Sequence, residues 1–189
     1  GQYFSSNATD GAYGPQAVVD QLSCRQNFSV LTTDGYWNNT SSASNPGEQD
    51  NSSGSTITGP GDRSYRYVAG APYAASHSST LADLAMKYWK SDLRSDLENN
   101  VPSTSANPAF WQHMVTFGIA MGLAGNTGFS SVGEVPANYS GWPDPTDKED
   151  GDRIDDLLHA ALNSRGQFVS AADPEAFANG LTAALAAIT

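Results

Sequence analysis

Cysteine is almost missing from this chain: Cys24 is the only one among 189 residues. That excludes a disulfide framework and every metal cage that needs several thiolates. It leaves two expectations for Cys24, a buried thiol or a bridge to a cysteine outside the chain. Basic residues are also scarce, nine against twenty acidic ones, giving a net charge of −11. So little positive charge cannot neutralise a phosphate backbone or grip an anionic bilayer, which excludes nucleic acid and membrane-surface partners. No apolar run approaches the roughly 20 residues of a transmembrane helix.

Catalytic signatures are equally thin. There is no G-x-S-x-G nucleophile elbow, and Gly118, Gly122 and Gly125 lack the lysine and helix of a phosphate loop. His77, His113 and His159 stand without a second ligand at metal spacing, so His113 and His159 read as satisfied structural histidines. The acidic stretch DPTDKEDGD, residues 144–152, lacks the spacing of a calcium loop, and it reads as a solvated loop. Asp155-Asp156 is a second pair of candidate calcium ligands.

What the chain does have is Ser, Thr, Asn and Gly in abundance, the style of exported bacterial surface proteins. Residues 16–23 can make a short helix, and FSVLTT (28–33) is a β-branched, apolar strand ending at Asp34-Gly35. From 38 to 79 the composition turns to Ser, Asn, Gly and Pro, a long surface insertion with two β-like pieces at 55–58 and 65–68 that could pair as a hairpin. Thr80 and Asp83 form a capping pair for a helix with Leu81, Leu84, Ala85 and Tyr88 on one face.

Met114 to Met121 is a nearly continuous apolar run, suited to a strand buried on both faces of a parallel sheet. A second loop covers 124–151, Asp152 is placed to cap a helix, GQFVSA makes a third strand, and Asp173-Pro174-Glu175 starts a final helix. Strand and helix alternate, which argues an α/β fold: parallel strands at 28–33, 114–121 and 167–171, with helices on both faces. The aromatics, Tyr36, Trp37, Tyr88, Trp89, Phe110, Trp111 and Trp142, could form a carbohydrate platform or anchor the insertions to the core.

In open α/β sheets ligands bind beyond the carboxyl ends of the strands, where Asp34 lies. It can be a ligand, or an aspartate that merely closes the turn. The phrases GQYFSS, SCRQNFSVLTTDGYWNN, LADLAMKYWKSDLRSDLENNVP, PAFWQHMVTFGIAMGL and RIDDLLHAALNSRGQFVSAADPEAFANGL run across nearly the whole chain. They resemble the N-terminal part of the PilY (PilC) family of type IV pilus proteins and, more broadly, the second half of a von Willebrand factor A domain. The resemblance implies a Rossmann-like sheet, incomplete on its N-terminal side, across 1–189. It implies that Asp34, in Thr33-Asp34-Gly35, is a ligand of a magnesium or manganese adhesion site. The DxSxS motif that completes such a site does not follow a strand here, so the ion is expected in the intact domain and not in this chain alone.

By the same resemblance the expected role is non-catalytic: adhesion and pilus assembly, exported to the cell surface and pilus tip. Minor pilins and a host or abiotic surface are the partners implied. Two other readings remain open, a secreted hydrolase with strand-end carboxylates and a structural module without metal.

Overall fold

The computed structural model describes residues 1–15, 17–37, 45–147, 149–171 and 174–186. In chain order the elements are β1 (Asn27–Thr33), β2 (Ile57–Gly59), β3 (Arg63–Tyr65), α1 (Leu81–Lys90), β4 (Met114–Met121), α2 (Asp150–Asn163), β5 (Phe168–Ala171) and α3 (Pro174–Ala186). The three longer strands form one parallel sheet ordered β1-β4-β5, with Asn27 opposite Met114 and Gly118 opposite Phe168. Parallel neighbours need crossovers, and α1 and α2 lie in them.

The helices take both faces. Gly118 turns toward α2, where an added Cβ would lie 2.9 Å from the Leu157 side chain. On the other face Gly180 lets α3 approach Val169, to which a Cβ would come within 2.8 Å. Ala120, Ile154, Leu157, Leu158 and Phe168 make the core between the sheet and α2. A second core joins Met86 and Trp89 of α1 to Ile57, Tyr67, Phe110 and Trp111.

That second core corrects the surface reading of the insertion. Its residues 57–59 and 63–65 do pair as an antiparallel hairpin, but Ile57 and Tyr67 are buried against Trp89 and Trp111. The aromatic rings interlock edge to face, Trp89 and Trp111 at 5.7 Å and Tyr65 and Trp89 at 5.9 Å. The Arg165 guanidinium lies 3.8 Å from both the Tyr73 and the Trp89 rings, which pins the end of the insertion to the region after α2. Trp89, Phe110, Trp111 and Trp142 are therefore core anchors, buried away from any platform.

Local expectations fare unevenly. The Thr80–Asp83 capping box is complete: each side chain accepts from the other's backbone N–H. The buried face of α1 is set by Ala82, Ala85, Met86 and Trp89, not by Leu81, Leu84 and Tyr88, because the bulky Trp89 seeks the aromatic cluster. Asp152 is not the cap of α2; the helix starts at Asp150, and Asp152 accepts from the Asn126 amide at 2.8 Å. Among its described residues, 17–23, the expected helix of 16–23 is only a 3-10 turn, Val18–Asp20.

β4 is buried along nearly its whole length. β1 is not, since it is an edge strand among the described residues and leaves Val30 41 % exposed. Cys24 is exposed, which overturns the buried reading; it sits in the turn before β1, outside either core. The expected cap at Asp173 lies outside the described residues, as do residues 38–44 of the insertion.

Candidate functional site

β1 carries its last residue, Thr33, to the carboxyl edge of the sheet, level with Ala120 of β4. The following turn is closed by a hydroxyl. Thr33 Oγ1 accepts from the Gly35 N–H at 3.3 Å and donates to the Gly35 carbonyl. The Asp34 carboxylate is thus released from the turn-closing role that its position allows. Asp34 is exposed, and none of the described residues donates to it. Among the described residues nothing takes up its two oxygens, and a carboxylate at a strand end is the kind of donor a hard cation takes.

Asp155 and Asp156, the other carboxylate pair the sequence raises, are used inside the protein. Asp155 accepts from the Asn126 and Thr127 N–H groups at 2.7 and 3.0 Å and from the Thr127 hydroxyl, which fixes the loop after β4. Asp156 reaches across to α1, where its two oxygens accept from Leu81 N and Ala82 N, both at 2.9 Å. It caps a helix other than its own and meets the positive end of that helix's dipole. Burial nevertheless pushes the Asp156 carboxyl up to about 7.

One acidic cluster was not foreseen. Carboxylate oxygens of Glu48, Asp50 and Asp83 lie within 4.8 Å of one another. Its lone pairs are largely spent. Asp83 accepts from Gln49 N at 2.6 Å and Asp50 N at 3.1 Å, besides its capping bonds to Thr80. Asp50, fully buried, accepts from Ala75 N at 3.0 Å and from Asn163 Nδ2 at 3.1 Å. Burial is the main cause that raises Asp50 to about 7, with Asp83 and Glu48 adding to it. The Lys90 ammonium supplies countercharge nearby, and burial pulls its pKa down against the attraction of these acids. The cluster staples the insertion to α1 and α2. No local spacing signals it, because its donors come from distant parts of the chain.

The histidines are structural in geometry. His113 donates from Nδ1 to the Trp111 carbonyl at 2.6 Å, and its other nitrogen faces the Asn107 amide at 3.0 Å. His159 donates from Nε2 to the Tyr73 carbonyl at 2.7 Å and stacks on Trp142 with ring centroids 4.0 Å apart. Burial lowers them to about 4 and about 3, so both are neutral at physiological pH. His77 is apart from both, 3.6 Å from Asp144.

The type IV pilus biogenesis factor PilY1 of Pseudomonas aeruginosa strain PAK is 34% identical over 203 residues, covering 93% of this chain. The PilY1 of strain UCBPP-PA14 is 34% identical over 194 residues, covering 88% of the chain. The chain is of the PilY1 type. It spans about a sixth of the length of these relatives, 17% and 16% respectively. No family model and no solved structure matches the chain. Among the described residues no helix is long and apolar enough to cross a membrane.

Proposed function

We propose that this chain is part of a non-catalytic adhesion and assembly module of an exported protein at the type IV pilus tip. Its sheet belongs to a von Willebrand factor A-type domain, whose remaining strands pair with β1, an edge strand among the described residues. A magnesium or manganese ion sits at the carboxyl edge of that completed sheet, and Asp34 is one of its ligands. Minor pilins and a host or abiotic surface are its partners.

The observation that carries this reading is the division of labour in the turn after β1. Thr33 closes the turn and leaves the Asp34 carboxylate exposed and uncommitted. A structural aspartate would be expected to make the closing bond itself. The relatives' name supports the pilus role, and the parallel order β1-β4-β5 supports the domain type. When bound, the cation would be held by Asp34 together with oxygen ligands from outside this chain and would offer a coordination position to what binds there; the protein's own part is to present Asp34 at the end of β1.

The test is adhesion of piliated cells to an inert surface with and without magnesium or manganese. The account expects cation-dependent adhesion that Asp34→Ala removes while pilus number is unchanged. Adhesion indifferent to both the cation and the substitution would refute the site.

A further inference from the structure

We propose that the cleft between residues 52–58 and 90–99 binds a neutral glycan. The cleft holds about 730 Å³ and lies on the insertion, away from Asp34 in the chain. That volume is in the range of small-ligand sites.

Its chemistry narrows the ligand by elimination. The walls present hydroxyls from Ser53, Ser55, Thr56 and Ser95, with the Asn99 amide and the Asp92 carboxylate. Ile57 lines it too, but is 8 % exposed, so there is no apolar floor for a hydrocarbon. The only cation in the lining is Lys90, and its three N–H donors go to the Gln49 and Ser52 carbonyls and the Ser52 hydroxyl. No ammonium is left for a phosphate or a carboxylate. A single lining carboxylate is too few for a cation cage. What remains matches a ring of hydroxyls, each both donor and acceptor.

One lining residue carries a polar atom without a partner among the described residues. Asn99 Nδ2 donates to the Thr58 carbonyl at 2.9 Å and to Asp92 Oδ2 at 3.2 Å. These bonds fix the orientation of the amide, and among the described residues Asn99 Oδ1 is buried without a partner. A buried carbonyl oxygen left unpaired costs free energy that an incoming O–H recovers. Asp92 is held in turn by the Arg94 N–H at 3.0 Å. The facing wall is equally fixed: Gly54 N donates to the Tyr67 carbonyl at 3.0 Å, and Ala69 N to the Ser53 hydroxyl at 3.2 Å. Both sides are set before a ligand arrives, which lowers the cost of binding.

The biological use of this cleft rests on the adhesive reading above, but the binding itself does not involve Asp34 or a cation. The experiment is therefore run in EDTA on the full-length protein, by saturation-transfer NMR with methyl glycosides of glucose, galactose and mannose and with N-acetylneuraminic acid. Ser95→Ile and Ser55→Ile, both at exposed positions on opposite walls, narrow the cleft without touching the core. The expected result is transfer to at least one neutral glycoside, weakened about tenfold in affinity by either substitution, and weaker transfer to the acidic sugar. No transfer to any neutral glycoside, transfer unchanged by both substitutions, or preference for the acidic sugar overturns the proposal. None of these outcomes bears on cation-dependent adhesion, so the two readings fail separately.

Discussion

Asp34 and Asp50 are two aspartates of one chain in opposite circumstances. Asp34 follows β1, exposed, with its turn closed by a neighbour's hydroxyl. Asp50 lies in the insertion, fully buried, with the Ala75 N–H on one oxygen and the Asn163 amide on the other. The contrast extends to their regions. Among the described residues β1 is an edge strand and leaves Val30 half-exposed, whereas the insertion, α1 and α2 are tied together by Asp50, Asp83 and Asp156. A carboxylate with both oxygens bonded inside the protein is part of the fold. One that the fold avoids using is available for something else.

The largest expected effect lies on the buried side. Asp83→Ala removes the α1 capping box and strands the Gln49 and Asp50 N–H groups, and should cost about 3–4 kcal/mol in urea unfolding. A loss below about 1 kcal/mol would place Asp83 outside the staple.

Next comes pH. Asp50 and Asp156 are each pushed up to about 7. Folded pKa values above the unfolded ones mean that the native state holds these protons more tightly. Their contribution is complete below the unfolded carboxyl range and is lost as pH rises through about 7. The unfolding free energy should therefore fall between pH 5 and 8, by on the order of 2 kcal/mol for each group. Asp50→Asn should flatten that slope, and an unchanged slope would remove Asp50 as its source.

The smallest effects are expected at the turn. Thr33→Val deletes the closing hydroxyl and should cost about 1 kcal/mol. Asp34→Ala should change stability by less than about 0.5 kcal/mol, as for a surface position. The reverse ranking in thermal unfolding would return Asp34 to the turn-closing role and erase the contrast.

How much of this was legible in the sequence follows from how far apart the partners are. The Thr80–Asp83 box spans three residues and could be read directly. The apolar run of β4 marked a strand buried on both faces, and the alternation of elements argued for parallel neighbours in one sheet. Asp156 bonds to Leu81 across 75 residues and Asp50 to Asn163 across 113, and no spacing rule reaches that far. Such acids look like loop charge or calcium ligands until the fold brings donors to them. The insertion misled for a related reason: its Ser, Asn and Gly content hid Ile57 and Tyr67, which are few but deeply packed. Asp34 was placed correctly at the strand end. That Thr33 would take the turn could not be read, since either side chain can close it.

The most direct test of the central contrast is calorimetric titration of magnesium and manganese into the full-length protein, its Asp34→Ala variant and its Asp50→Asn variant. The account predicts that Asp34→Ala weakens binding at least about tenfold with the fold intact, while Asp50→Asn leaves the affinity unchanged. Affinity lost in Asp50→Asn and kept in Asp34→Ala would contradict it.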